Sequence, residues 1–209
     1  MTARIDHAIT QGTFVADGQT FELDNNVWVL GNDDECVVID APHDVDAIAA
    51  VVGARRVLAV LCTHAHNDHV TFAPALGLRF GAPVLLHPDD RELWEKTHPA
   101  VDPDGELTDG QVITVAGLDV TVVHTPGHSR GAVCFSVPDL GVLFSGDTLF
   151  QGGPGATGRA FSSFPDIITS IRGRLLTMPA DTRVLTGHGQ ETTIGAEAPD
   201  LEEWIARGH

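Results

Sequence analysis

The sequence predicts an α+β fold in a single domain that covers residues 1–209. Runs of β-branched and apolar residues, which are typical of strands, alternate with segments whose apolar residues recur at helical spacing. The composition is globular, with 43% hydrophobic and 20% charged residues. A chain of 209 residues is long enough to bury a substantial core in one domain.

In the first half, the pattern predicts a hairpin followed by three helices that alternate with two strands. The hairpin turns at residues 31–34, and Asp44 is a candidate N-cap for the helix that follows. A proline at position 88 is suited to the first turn of a helix. The predicted strands are 26–30, 35–39, 57–62 and 83–86, and the predicted helices are 45–52, the segment after residue 69 to about 80, and 88–98.

The second half repeats this organisation of strands followed by helices. A hairpin is expected across Ala116 and Gly117, and the segment 165–177 has apolar residues at helical spacing. The predicted strands are 111–115, 118–124, 132–137, 142–144 and 183–185, and the predicted helices are 165–177 and 201–207.

The net charge and the lack of long apolar segments argue against several classes of partner. A net charge of −17 opposes nucleic-acid binding, which depends on clustered Lys and Arg. The N-terminal residues lack the apolar segment of a signal peptide, and no apolar run approaches the roughly 20 residues that span a bilayer. We therefore expect a cytoplasmic protein with no nucleic-acid or membrane partner; the oligomeric state is left open. The odd count of three cysteines argues against a disulfide framework.

A dense cluster of metal-ligand side chains follows the apolar strand 57–62. It comprises His64, His66, Asp68 and His69. Four such groups within six residues cannot all face one ion, so they suit a loop that supplies ligands to two ions. A histidine or aspartate alone is more often a surface or capping residue, but this run is seldom produced by packing requirements.

Three more candidate ligands follow later strands, and each is flanked by glycine, which permits close backbone approach. They are His128, Asp147 and His188. Zinc favours histidine nitrogen and carboxylate oxygen, and a catalytic site keeps a position open for water. The seven side chains can serve two divalent ions: His64, His66 and His128 on one, Asp68, His69 and His188 on the other, with Asp147 between them.

These motifs resemble the metallo-β-lactamase-fold hydrolases, and within them the glyoxalase II (hydroxyacylglutathione hydrolase-like) group. The resemblance covers nearly the whole chain and rests on the turn at 38–42, the histidine cluster, the segment 124–128 and the segment 146–150. It implies a four-layer αββα sandwich and a binuclear site that holds zinc, or alternatively iron or manganese. It also implies that Asp40 supports the ligands, since metal-bound imidazoles usually donate their other N–H to a carboxylate or carbonyl.

The resemblance also narrows the function. Asp147 stands where one class of zinc β-lactamases has cysteine, which argues against antibiotic hydrolysis. The acidic chain lacks the basic surface expected of tRNA-processing members, and lactonase members often use a tyrosine, which this chain lacks altogether.

The expected reaction is hydrolysis of a small-molecule thioester by a hydroxide that bridges the metals, with Asp68 as the catalytic residue that orients it. Arg159 and Phe161 lie in a glycine-rich segment that either borders the substrate or is a surface loop. Zero tyrosines and one lysine disfavour glutathione as the carrier thiol and leave mycothiol as a candidate. The alternatives are a persulfide dioxygenase with one iron and, from another class, a metal-binding protein without turnover.

Overall fold

The computed structural model describes residues 2–16 and 18–208. The chain forms two compact units. Unit 1 comprises Met1–Leu107 with Thr114–Leu118, and unit 2 comprises Thr108–Ile113 with Asp119–His209. Strands and helices alternate in both units, as the sequence predicts. The single domain over residues 1–209 remains a prediction.

The sheet of unit 1 has six strands in sequential order, of which the first three are antiparallel and the rest parallel. Its strands are β1 (Arg4–Ala16), β2 (Gln19–Gly31), β3 (Glu35–Ile39), β4 (Arg56–Leu61), β5 (Val84–Leu86) and β6 (Gly105–Glu106). Parallel strands normally read as continuous apolar runs because both faces are covered. This explains why β4, with four buried residues among six, was readily predicted.

The long hairpin of β1 and β2 is the main element that the sequence pattern did not predict. The two strands pair from Arg4 opposite Gly31 to Ala16 opposite Gln19. The sequence of β1 mixes polar and apolar residues and contains Gly12, so its own pattern is weak. Pairing with β2, whose second half is buried, supplies what the local sequence lacks.

The parallel strands of unit 1 are connected by α-helices, of which the first in chain order are α1 (Val45–Val52), α2 (Asn67–Val70) and α3 (Ala73–Phe80). The Asp44 carboxylate caps α1 by accepting hydrogen bonds from the backbone N–H groups of Asp46 and Ala47, as predicted. The single helix expected after residue 69 is instead α2 and α3, because Pro74 in the first turn of α3 cannot donate a backbone hydrogen bond. The helix expected over 88–98 begins as a 3₁₀ turn, Pro88–Asp90, and continues as α4 (Arg91–Thr97).

A second six-stranded sheet, most of whose residues belong to unit 2, also mixes parallel and antiparallel strands, in the order β14-β13-β10-β9-β8-β7. Its strands are β7 (Val112–Val115), β8 (Leu118–His124), β9 (Val133–Val137), β10 (Val142–Gly146), β13 (Arg183–Thr186) and β14 (Thr192–Thr193). A separate two-stranded ribbon joins β11 (Leu149–Phe150) to β12 (Gly153–Pro154). In the turn between β7 and β8, Ala116 and Gly117 both have positive φ, as a tight hairpin turn requires.

A helical layer of unit 2 covers one face of its core. It consists of α5 (Phe164–Ser170), α6 (Ile194–Glu197) and α7 (Leu201–Arg207). The helix predicted over 165–177 is α-helical only as far as Ser170 and then forms a π-helical turn, Ile171–Leu175. Within that turn, the N–H of Leu176 donates to the carbonyl of Ile171, five residues earlier. Ile167, Ile171 and Leu175 nevertheless stay buried in one cluster with Trp204.

Among the helices of the described residues, none has the length and apolar character required to cross a bilayer.

Candidate metal centre

In unit 1, the histidine cluster starts where β4 ends and continues into α2. His66 immediately precedes α2, whose single turn carries Asp68 and His69, both buried. The backbone N–H of Ala65 donates to the buried carboxylate of Asp90 at 2.9 Å, which fixes the loop between strand and helix. A rigid strand end and a short helix thus hold the four candidate ligands of this segment.

Asp40 is the polar anchor of this cluster. It follows β3 with φ of 62°, a left-handed conformation that aspartate tolerates better than most residues. Its carboxylate accepts hydrogen bonds from the N–H and the hydroxyl of Thr63, at 2.7 and 2.8 Å. The Nδ1 atom of His69 lies 2.8 Å from the same carboxylate. Asp40 therefore keeps the proton of His69 on Nδ1 and leaves Nε2 as the ligand atom.

Through Thr63, Asp40 also determines which ring nitrogen of His64 carries the proton. The hydroxyl of Thr63 donates to Asp40, so it accepts from His64 Nδ1, which lies 3.1 Å away. The Nε2 atom of His64 is then the unprotonated nitrogen of the ring. One buried carboxylate thus determines the protonated nitrogen of two imidazoles, one directly and one through a hydroxyl.

The candidate ligands of unit 1 lie close to one another. His69 Nε2 is 3.5 Å from Asp68 Oδ2. The ring of His64 is 4.1 Å from that of His69 and 4.8 Å from that of His66, between centroids. Two ligand atoms about 2.05 Å from a tetrahedral zinc ion are roughly 3.3 Å apart, so the spacing of Asp68 and His69 fits a shared ion.

In unit 2, the three candidate ligands follow the ends of three strands of the same sheet, β8, β10 and β13. The pairing of β10 with β13 is irregular between Phe144 and Gly146, directly before Asp147. Gly146 has φ of 48°. A bulge at this position redirects the chain so that the side chain after the strand points differently from those within it.

Asp147 lies between the two histidines of unit 2 that are candidate ligands. Its Oδ2 atom is 3.6 Å from His128 Nε2 and 3.4 Å from His188 Nε2. These distances exceed a good hydrogen bond but again match ligands that share an ion. The carboxylate therefore stands where it could serve two metal positions, one beside each imidazole.

Direct hydrogen bonds connect the three ligand loops of unit 2. The hydroxyls of Thr125 and Thr148 lie 2.9 Å apart and join the loop of His128 to that of Asp147. The N–H of Gly187 donates to the carbonyl of Gly146 at 2.8 Å and joins the loop of Asp147 to that of His188. Because both links are short and lie beside the ligands, one hydroxyl contact and one backbone hydrogen bond fix the relative placement of the three loops.

The glycine-rich segment after Asp147 also holds His128. The Nδ1 atom of His128 is 2.8 Å from the carbonyl of Ala156, which keeps the ring proton on Nδ1 and Nε2 available. Gly155 is packed so tightly that a Cβ there would overlap the carbonyl oxygen of Asp147. The segment is thus part of the support of the site, a role that sequence reasoning did not assign to it.

Arg159 and Phe161 lie farther along the same segment. Arg159 is exposed, and Phe161 is half-buried with φ of 71°. The guanidinium of Arg130 covers the ring of Phe161 at 5.0 Å, a cation–π arrangement. The turn is closed by the Ser162 hydroxyl, which donates to the carbonyl of Arg159 at 2.8 Å.

The candidate ligands of each unit are histidine and aspartate side chains, a donor set that suits divalent metal ions. The cysteines do not take part. Burial raises the pKa of Cys62, the neighbour of the cluster, well above its ordinary value and that of Cys134 to about 11. Neither thiol is therefore ionised near neutral pH. Because only the thiolate form of cysteine binds metals or acts as a nucleophile, neither residue has these roles here.

Sequence reasoning missed three supports of the ligands. Asn25 on β2 contacts Asp68 and His69, Asp90 holds the loop at Ala65, and Ala156 fixes His128. None carries a sequence signal, because two are common polar residues outside any motif and the third acts through its backbone.

Replacing Asp40 with asparagine should weaken metal binding. Asparagine has one accepting oxygen where aspartate has two, so it cannot accept both from His69 Nδ1 and from the backbone N–H of Thr63. Losing such a partner typically costs about 10–100-fold in metal affinity. Competition with a chromophoric chelator for Zn²⁺ measures the effect. The control is Asp34→Asn, at an exposed aspartate in the β2–β3 turn. Equal affinities for the two variants would contradict the role of Asp40.

Gly155→Ala should displace Asp147 and His128 together. The added Cβ overlaps a backbone oxygen, so we expect a loss of about 1–3 kcal/mol in the free energy of unfolding and weaker Zn²⁺ binding. Gly173→Ala is the matched control, because a Cβ at that helical glycine meets nothing within 4 Å. Urea unfolding and metal titration of both variants are the measurements, and indistinguishable results would be evidence against the tight fit.

Curated relatives with similar sequences include metallo-hydrolases. The chain is 33% identical over 192 residues to the probable metallo-hydrolase YqgX of Bacillus subtilis, covering 82% of this chain and 88% of that protein. It is 34% identical over 168 residues to a hydroxyacylglutathione hydrolase of Aeromonas salmonicida, covering 78% of this chain and 61% of the relative.

Solved structures with the same fold include a β-lactamase and a di-iron protein. The crystal structure of the B3 metallo-β-lactamase BLEG-1 has a TM-score of 0.77 at 32% identity, covering 92% of this chain and 97% of that one. TTHA1623, solved in a di-iron-bound form, has a TM-score of 0.73 at 32% identity, covering 88% and 95%. These similarities confirm the metallo-β-lactamase fold of α+β class.

The domain model of the metallo-beta-lactamase superfamily matches residues 20–188, a range that includes all seven candidate ligands. With this match and the relatives above, the chain belongs to the metallo-β-lactamase superfamily.

Proposed function

We propose that this protein is a binuclear metallohydrolase that cleaves a thioester of a small carrier thiol. The observation that carries the proposal is the carboxylate of Asp147, which lies within 3.6 Å of a histidine on either side. One ion would be held by His64, His66 and His128, and the other by Asp68, His69 and His188, with Asp147 serving both. The similarity to a hydroxyacylglutathione hydrolase supports the reaction class.

The ions are divalent, with zinc preferred for this set of nitrogen and oxygen ligands and iron or manganese as alternatives. The di-iron form of TTHA1623 supports a pair of ions in this chain. When bound, a pair of ions supplies hydroxide at neutral pH and polarises the acyl carbonyl.

Asp68 is the catalytic residue of the proposal. It is buried beside His69, and its Oδ2 atom accepts a hydrogen bond from Asn25 Nδ2 at 3.2 Å. The other oxygen of this carboxylate is then the one that holds and orients the attacking water. This arrangement suits a carboxylate that binds a cation through one oxygen and directs a nucleophile through the other.

The leaving group needs no strong acid. A thiol has a pKa of about 8.5, so it departs readily as thiolate. Cys62 and Cys134 are protonated and fully buried, and they do not compete as nucleophiles. Thioester chemistry therefore matches a site that offers carboxylates and imidazoles as its titratable groups.

The substrate side of the site is assigned to Arg159 and Phe161. The segment that carries them also holds His128 through Ala156, which supports a position near the reacting groups. An exposed guanidinium and a half-buried ring suit a small polar carrier with an apolar part. The partner is a small molecule, and the acidic, cytoplasmic protein that we propose has no nucleic-acid or membrane partner.

A β-lactam is the second candidate substrate, because the chain is similar to BLEG-1 over 92% of its length. The aspartate at position 147 argues only against the class of β-lactamases that has cysteine there. A nitrocefin assay beside the thioester assay decides between the two substrates.

Two alternatives differ from the proposed hydrolase, one in its metal content and reaction and the other in having no catalytic activity. A persulfide dioxygenase would contain one iron and consume oxygen, and a metal-binding protein without activity would contain metal and hydrolyse nothing. Metal analysis by inductively coupled plasma mass spectrometry, together with an oxygen electrode, separates both from a binuclear hydrolase.

Hydrolysis of an S-acyl thiol should be abolished by chelation and should fall by about 100-fold or more in Asp68→Ala. The physical reason is the loss of the group that orients the water and holds one cation. Restoring Zn²⁺ should recover the wild type and leave the variant slow. The exposed Asp34→Ala serves as the control. Full activity in a metal-free sample would end the proposal.

S-acyl mycothiol should be hydrolysed with a higher kcat/KM than the matching S-acyl glutathione. The reason is the composition, since the chain has no tyrosine and one lysine to hold glutathione. Steady-state assays with the same acyl group on both carriers measure the ratio. A preference for glutathione would refute the carrier assignment and leave the reaction class standing.

A further inference from the structure

Asn25 is a fully buried polar side chain that lies beside the candidate ligands of unit 1. It stands on β2 opposite Thr10 of β1 and has no exposed surface. Burying an amide without hydrogen bonds costs several kcal/mol in an apolar setting, so such a group needs partners. Its Nδ2 atom lies 3.2 Å from Asp68 Oδ2 and 3.3 Å from His69 Nε2.

His43 fixes which way this amide faces. Its Nε2 atom is 2.8 Å from Asn25 Oδ1. An amide oxygen only accepts, so His43 must carry the proton on Nε2 and donate it. With the oxygen held by His43, the NH₂ group of Asn25 is directed to Asp68 and His69.

Gly12 provides the space for His43. A Cβ at position 12 would overlap the Nδ1 and Cγ atoms of the imidazole. Gly12 pairs with Leu23, two residues before Asn25 on β2. The backbone of β1 at Gly12 therefore packs directly against the His43 ring. This packing keeps the ring in contact with Asn25.

We propose that Asn25 is a positioning residue for one ion of the pair, and that His43 orients it. This rests on the metal ligands of the proposed function. The amide donates to Oδ2 of Asp68, the oxygen that lies 3.5 Å from His69 Nε2 and would share an ion with it, and leaves the other oxygen for the water. Since the amide is neutral, it gives this hydrogen bond without placing positive charge beside a cation, which a lysine or arginine would do. Once His69 Nε2 binds an ion, the NH₂ group is committed to Asp68.

The adjacent residue offers a matched control. Asn26 has the same kind of amide–imidazole contact, since its Oδ1 atom lies 2.9 Å from His7 Nε2, and it is also buried. Successive residues of a strand face opposite sides, so Asn26 points away from Asp68. Asn25→Ala and Asn26→Ala thus remove equivalent groups, of which only one contacts candidate ligands.

The experiment is stepwise titration of the metal-free proteins with Zn²⁺, and with Co²⁺ to record the visible spectrum. Asn25→Ala should raise the Kd of one ion by about 10–100-fold and leave that of the other ion within about threefold. Its Co²⁺ spectrum should differ from that of the wild type. Asn26→Ala should match the wild type in both measurements.

Urea unfolding of the metal-free proteins detects a folding defect in Asn25→Ala. A second variant keeps the inference testable if such a defect is found. His43→Ala alters a half-buried ring and should weaken the same ion by a smaller factor. Equal metal affinities in Asn25→Ala and Asn26→Ala would overturn the inference, as would a loss of both ions together. If the wild type holds a single ion, the same comparison applies to that ion. Because the readout is metal binding, failure of thioester hydrolysis would refute the proposed function and leave this inference intact.

Discussion

The candidate site depends on one kind of interaction, the hydrogen bond from an imidazole Nδ1–H to a buried acceptor. His69 donates to Asp40, His64 reaches the same carboxylate through Thr63, and His128 donates to the carbonyl of Ala156. Each bond selects the tautomer whose Nε2 lone pair is available to a cation and fixes the plane of the ring. Without these acceptors, the rings would still be present but would neither hold one tautomer nor converge.

Asp40 shows how the fold stabilises a buried charge. Its carboxylate is 2% exposed and accepts from two groups of Thr63 as well as from His69. A buried carboxylate is tolerated when several donors satisfy it. The left-handed backbone at this residue aims the side chain back toward the end of β4. The left-handed conformation of Asp40 thus carries a conformational cost, and it allows the side chain at the end of β3 to hydrogen-bond with the ligand loop.

Local sequence predicted the elements in which apolar periodicity and turn residues agree. Strands β4 and β10, the cap at Asp44 and helix α7 are of this kind. It failed where pairing or hydrogen bonding with distant residues decides. Strand β1 forms because β2 pairs with it. The break before α3 has a local cause instead, a proline inside an otherwise helical pattern. The candidate ligands were predictable because histidines at such short spacing after a strand have few structural explanations.

The sequence by itself determined the identity of the seven candidate ligands, the class of metal that they suit and the family to which the chain belongs. Tertiary structure alone decided what holds those side chains: the amide of Asn25 turned by His43, the carboxylate of Asp90 and the carbonyl of Ala156. The reason is physical. A ligand's chemistry resides in its own side chain and is readable from one position, whereas a hydrogen-bond partner is defined by proximity, and residues 44 positions apart become neighbours only when the strands pair.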